Sequence, residues 1–226
     1  MKLEPPLLVV NFKTYEEATG PKALRLAKIC EEVAENYGAT IVVCPQFCDI
    51  PLLVARVKIP IFAQHMDPFP PGAFTGSVSY LALKQSKVLG TLLNHSEKKL
   101  GLREIAECIK LAKREGLLTL CCAESLLKAR QIADLSPDFL AYEPPELIGT
   151  GKSVSKAKAA LVEEFVKLVS EINPKILPLC GAGVSNSDDV SAALKLGTKG
   201  VLVASAIVKA TNQKKVVEEM TRALIF

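Results

Sequence analysis

The stretch LLVVNFK occupies residues 7–13. Its first four residues are all apolar and two of them are β-branched. A run that is apolar at every position, rather than at every second one, is the pattern of a strand buried on both faces of a parallel sheet. Seven comparable runs follow: TIVVC at 40–44, IPIFA at 59–63, TLL at 91–93, LLTLCC at 117–122, FLAY at 139–142, ILPLC at 176–180 and VLVA at 201–204. Between most of them lies an amphipathic helical pattern. Residues 22–37 place Leu24, Ala27, Cys30, Val33 and Ala34 on one face and stop at Gly38; residues 102–114 stop at Gly116. Residues 155–172 follow a serine cap and end before Asn173-Pro174, residues 186–196 end at Gly197, and residues 213–224 close the chain. The second, third and fifth helical patterns are short.

Eight β/α units in 226 residues predict an α/β fold of the (β/α)8 barrel type, residues 1–226 forming one catalytic domain. The alternative is an open, doubly wound sheet. That fold announces itself with G-x-G-x-x-G after the first strand, and Asn11-Phe12-Lys13 stands there instead.

Composition narrows the function classes. Hydrophobic residues make up 49% of the chain and charged residues 23%, enough apolar material for a sizeable soluble core. The net charge is +4, with lysines and arginines interleaved with glutamates along helical faces, so no basic stripe points to nucleic acid. No apolar stretch reaches membrane-spanning length and the N-terminal apolar run is too short for a signal peptide, which gives a cytoplasmic expectation. The 7 cysteines have no regular spacing, and with only 2 histidines no zinc pattern forms; buried, reduced thiols are expected, with no metal and no cofactor.

In a barrel, chemistry gathers just beyond the C-terminal ends of the strands. After the first run come Asn11 and Lys13, which alternation turns to the same side. After the fourth come Asn94-His95-Ser96-Glu97, and after the sixth Glu143. Ile148-Gly149-Thr150-Gly151, Cys180-Gly181-Ala182-Gly183 and Val203-Ala204-Ser205-Ala206 supply glycine or small-residue turns. The last two follow runs seven and eight, where barrels hold phosphate on backbone N–H groups. Each residue alone has an ordinary explanation: a solvated lysine, a structural histidine, a salt-bridged carboxylate, a tight turn. A cation, an imidazole, a carboxylate and a phosphate nest all falling at one rim is the signal.

The tail of EPPELIGTGKS invites a different reading, a nucleotide P-loop. That motif requires a glycine five residues before Gly151, and Glu146 occupies the position. A carboxylate there would direct negative charge into a nest meant for phosphate.

Taken in order, NFK, NHSE, EPPELIGTG and CGAG resemble the triosephosphate isomerase family over the whole chain, and the short length with NHSE and EPPELIGTG resembles its archaeal branch. The resemblance implies interconversion of dihydroxyacetone phosphate and glyceraldehyde 3-phosphate through an enediolate, as a step of glycolysis and gluconeogenesis. It implies Glu143 as the base, His95 as the electrophile, Lys13 with Asn11 facing the substrate's negative charge, and Glu97 as a structural carboxylate near Lys13. It implies Ile148 and Leu202 as an apolar clamp over the base. Gly149, Gly183, Ala204 and Ser205 would form the backbone phosphate site. Two positions depart from the commonest family pattern: Gly183 replaces a frequent serine and Ala204-Ser205 a frequent glycine pair, but N–H groups alone serve there. A short helix beginning at Ser96 would disfavour imidazolium at His95.

Two segments complete the expectations. Residues 144–152 are read as a lid closing over the substrate, with Glu146 facing solvent. Residues 68–76, PFPPGAFTG, carry Phe69 and Phe74 on a long loop. By resemblance this loop inserts into a neighbouring subunit, Thr75 reaching the partner's Asn11 and Lys13, so a dimer or tetramer is expected; Ser77 departs from a frequent glutamate there. Two other functions compete. A Schiff-base aldolase would need a lysine inside a strand, and none of the eight runs contains one. A catalytically silent homologue would have no reason to retain Lys13, His95 and Glu143 together.

Overall fold

The computed structural model describes residues 3–144 and 159–225. Eight parallel strands alternate with helices: β1 Leu7–Asn11, β2 Thr40–Cys44, β3 Phe62–Ala63, β4 Gly90–Leu93, β5 Leu118–Ala123, β6 Phe139–Tyr142, β7 Leu177–Cys180 and β8 Gly200–Val203. The ladder runs β2-β1-β8-β7-β6-β5-β4-β3, and a parallel bridge between Val43 and Ile61 joins its two ends. The expected (β/α)8 barrel is therefore the fold.

Period-two alternation of these all-apolar strands builds two core layers at once. Leu7 and Val9 of β1 fill the barrel interior with Val42, Phe62, Leu92, Leu120, Phe139 and Leu179. Leu8 and Val10 face outward onto the helices. The outer shell comprises α1 Pro21–Tyr37, α2 Ile50–Val54, α3 Tyr80–Gln85, α4 Leu102–Glu115, α5 Leu126–Ala133, α6 Ala159–Ile172, α7 Ser187–Lys195, α8 Ser205–Val208 and α9 Gln213–Ile225. As the sequence indicated, α2, α3 and α5 are short. α1 and α4 both end on left-handed glycines, Gly38 and Gly116, and the Asn186 side chain caps α7 by accepting from the Asp189 N–H at 3.0 Å. The N-terminal part of the helix expected from residue 155 lies outside the described residues.

Strand β3 is shorter than its apolar run. Pro60 has no N–H to give to a ladder; its carbonyl instead accepts from Val43 N–H at 3.1 Å, and the strand begins two residues later. Six cysteines are buried, Cys48 is exposed, and none is disulfide-bonded. Burial pushes the Cys30 and Cys108 thiols up to about 12. Among the described residues no helix is long and apolar enough to cross a membrane.

Candidate active site

The inward parity of the strands carries past their ends and decides which side chains meet at the mouth. Continuing the inward series brings Asn11 after Val9, Cys44 after Val42, Asn94 after Leu92, Glu143 after Ala141 and Gly181 after Leu179. A cavity of about 80 Å³ opens above them. It is lined by Asn11 and Lys13 on one side, His95, Ser96 and Glu143 on another, and the 181–183 and 202–205 turns opposite.

Lys13 is held at both ends. Its backbone adopts φ +48°, with its N–H donating to Asn11 Oδ1 at 3.0 Å and its carbonyl accepting from Gln64 Nε2 at 2.9 Å. Gln64 Nε2 also reaches the Cys44 carbonyl at 3.0 Å, tying the β3 loop to β2. The ammonium pairs with Glu97 Oε1 at 2.7 Å.

His95 accepts the Glu97 N–H on Nδ1 at 3.2 Å. An accepting Nδ1 assigns the tautomer with its proton on Nε2. Here the structure corrects the expectation of a helix starting at Ser96: residues 95–98 form one turn, Lys98 N–H to His95 carbonyl at 2.8 Å, and α4 begins only at Leu102. A single backbone N–H aimed at Nδ1, not a helix terminus, sets the tautomer.

Glu143 is 3% exposed, and its Oε1 lies 3.7 Å from His95 Nε2. Its Oε2 is buried without a hydrogen-bond partner among the described residues. Burial holds its pKa above the ordinary carboxylate value. His95, the Cys122 thiol, Lys13 and the Ser96 N–H pull in the opposite direction without cancelling the rise. A buried carboxylate with raised basicity, an aimed imidazole N–H and a nearby ammonium are the parts needed to move a proton on carbon beside a carbonyl.

The opposite wall supplies backbone N–H groups. Gly183 takes φ +67°, a conformation costly for residues with a Cβ. Ala204 precedes α8, whose first N–H groups have no partner within the helix. Leu202 lines the same cavity. Thus Asn11, Lys13, His95, Glu143, Gly183, Leu202, Ala204 and Ser205 meet at one mouth, with Glu97 behind Lys13. Ile148, Gly149, Glu146 and the rest of the expected lid beyond Pro144 lie outside the described residues. Thr75 stands apart on the exposed 68–76 loop.

With the geometry in place, comparison with known proteins is decisive. A triosephosphate isomerase family model matches residues 6–220. The chain belongs to the triosephosphate isomerase family. It is 46% identical over 218 residues to a triosephosphate isomerase of Methanothermus fervidus, covering 96% of this chain and 98% of the relative. It is 47% identical over 216 residues to that of Methanocaldococcus jannaschii, covering 96% and 99%. With that of Methanosarcina barkeri the identity is 45% over 219 residues, covering 97% and 99%. These relatives are methanogenic archaea, in line with the archaeal resemblance.

Three residues of this triosephosphate isomerase family site escaped sequence reasoning. Gln64 has no motif around it, and only the fold brings it to a carbonyl 51 positions away. Cys122 reads as one more buried thiol, although inward parity from Leu120 could have placed it beneath the mouth. Gly181 reads as a turn glycine, but a Cβ there would meet Glu143.

Proposed function

We infer that the chain interconverts dihydroxyacetone phosphate and D-glyceraldehyde 3-phosphate, the observation that carries it being a buried Glu143 of raised basicity 3.7 Å from His95 Nε2 in one small cavity. The pairing of a glutamate base with a neutral histidine is the established assignment for this family. Glu143 takes a proton from C1 of the ketone while His95 Nε2–H hydrogen-bonds the carbonyl oxygen. The electron pair released from the C–H bond forms the C1–C2 double bond of the enediolate, whose charge rests on the C2 oxygen. His95 gives its Nε2 proton to that oxygen and takes the proton of the C1 hydroxyl in exchange, the electron pair left on the C1 oxygen forms the new carbonyl, and Glu143 returns the carbon-bound proton to C2 to give the aldehyde. Lys13 offsets the negative charge of phosphate and enediolate, and Asn11 fixes the Lys13 N–H. The N–H groups of Gly183, Ala204 and Ser205 take the phosphate, with Gly149 completing that site and Ile148 joining Leu202 over the base. Residues 1–226 act as one catalytic unit, in the cytoplasm, without metal or cofactor. A coupled assay with glyceraldehyde 3-phosphate tests the activity; no turnover, or carbon–carbon cleavage instead of isomerisation, would overturn it.

The acting form is a homo-oligomer, a dimer or a tetramer. Asp67 closes the neck of the 68–76 loop: its N–H donates to the Val78 carbonyl at 2.9 Å and its Oδ2 accepts from the Val78 N–H at 2.6 Å. Beyond the neck, the Phe69 and Phe74 rings stack at 4.6 Å yet remain 37% and 42% exposed. A second cavity of about 430 Å³ borders Lys13, Gln64, Phe47 and Val78. An apolar loop seeking cover and a hollow beside Lys13, lined mostly by polar residues but with Phe47 and Val78 on its wall, lie on the same chain and can meet in a two-fold pair. Light scattering at micromolar concentration showing an active monomer would overturn it.

A further inference from the structure

We propose that Asn94 is a positioning residue for the isomerisation, acting through His95: its side-chain amide clasps the whole β4–α4 loop to β5. The ladder between β4 and β5 ends at the Leu93–Cys121 pair. At the next residue the backbone swings out of the sheet, Asn94 adopting φ +57°. The Asn94 side chain then takes over the strand's role. Its Nδ2 donates to the Cys122 carbonyl at 2.8 Å, and its Oδ1 accepts from the Leu100 N–H at 2.9 Å. A carbonyl on one side and an N–H on the other leave the amide one orientation. Asn94 is 3% exposed, so neither bond is exchanged for water at little cost.

The clasp has consequences for the chemistry because of what it encloses. Between Asn94 and Leu100 lie His95, Ser96 and Glu97. They supply the imidazole, an N–H beside the Glu143 carboxylate and the carboxylate that pairs with Lys13. Within the loop only the Lys98-to-His95 turn and the Glu97 N–H to His95 Nδ1 bond fix the imidazole. Both move with the loop and cannot by themselves set its position against the barrel. The Glu97–Lys13 pair ties the loop to the end of β1 through two long side chains, whereas the Asn94 bond to the Cys122 carbonyl ties its first residue directly to β5, and Cys122 is the β5 residue whose thiol neighbours Glu143. Asn94 therefore couples the electrophile and the base to one strand end.

Asn94→Gly isolates this role, because glycine accepts the positive φ without strain while losing both bonds. We expect the variant to fold, with kcat reduced about 10- to 100-fold, as misplacement on the order of 1 Å implies. KM should change less than about threefold, since the phosphate contacts lie on the opposite wall. The chain has only 2 histidines, His65 and His95, so 15N NMR of selectively labelled histidine resolves both rings. The wild type should show His95 with its proton on Nε2; the glycine variant should show it broadened or mixed, with His65 unchanged. Asn94→Asp keeps an acceptor for the Leu100 N–H but sets oxygen against the Cys122 carbonyl, and should lose kcat with the same NMR change. Val217→Ala, in the buried face of α9, serves as the control for simple destabilisation: a comparable fall in Tm with kcat and imidazole signals retained. Wild-type kcat and an unaltered His95 spectrum in either folded Asn94 variant would overturn the proposal, as would equal catalytic loss in Val217→Ala.

Discussion

Gly181 touches Glu143 so closely that a Cβ on it would stand 2.6 Å from Glu143 Cγ and 3.2 Å from Oε1. The end of β7 thus serves as the floor on which the base rests. Gly181→Ala should push the carboxylate off its line to the substrate. The expected outcome is a fall in kcat of about 10²-fold, on the scale of a small misplacement, with far-ultraviolet circular dichroism unchanged. Wild-type turnover would show that Glu143 tolerates displacement and is not held by this contact.

Glu143 should make the fold less stable at neutral pH than an uncharged side chain in its place. Its folded pKa is raised above 4.5 by burial. The native state therefore binds its proton more tightly than the unfolded chain does, and stability from this group is complete below the unfolded value and lost as pH rises through the folded one. Glu143→Gln should abolish turnover yet raise Tm at pH 8, the gain shrinking towards zero as pH falls below about 4.5, where both proteins carry a neutral group. Thermal melts across that range test the sign; a lower Tm at pH 8 would contradict it.

Lys13→Met should separate binding from stability. The Lys13 pair with Glu97 is short, but the Glu97 side chain is 58% exposed, and such pairs contribute about 1 kcal/mol or less. In the proposed function, by contrast, the cavity loses the one lysine or arginine that lines it among the described residues, and with it the charge that offsets the anionic substrate. KM should rise steeply and kcat fall, while Tm stays within a few degrees. Unchanged KM and kcat in steady-state assays would remove Lys13 from the site.

Thr75→Arg should lower activity and loosen assembly together. The substitution adds a long cation to an exposed loop that, in the proposed pair, faces Lys13 of the neighbouring subunit. Sedimentation or light scattering over a concentration series should show a shift towards smaller species, with specific activity falling in parallel. A variant of unchanged size with unchanged activity would mean that the loop folds back on its own barrel.

Much of the barrel was legible because buried parallel strands leave an unusual trace: FLAY at 139–142 is strand β6 to the residue, and TIVVC at 40–44 is β2. The rim was legible for the same reason, since inward parity projects from Val9 to Asn11 and from Ala141 to Glu143. Where sequence reasoning fell short, the cause was tertiary. Ile59 and Pro60 carry strand-like composition but leave the ladder, because proline has no N–H for it. Ser96 looks like a helix start because it precedes Glu97, yet the Asn94 clasp and the His95–Lys98 turn use up the chain before α4 can begin. Gln64 could not be found at all: its two carbonyl partners lie 51 and 20 residues away.

The distribution of thiols makes this chain a timer of its own unfolding. Cys48 alone stands open to a disulfide reagent, whereas Cys30 and Cys108 are buried on the inner faces of α1 and α4, and Cys44, Cys121, Cys122 and Cys180 are buried in the strands. Thiolate is the reacting species, and burial suppresses it in each of the six. Under excess reagent, one thiol per chain should be consumed at once and the other six only as molecules open. The lag between the two phases would then measure how long a folded molecule survives before its layers part, with no label added.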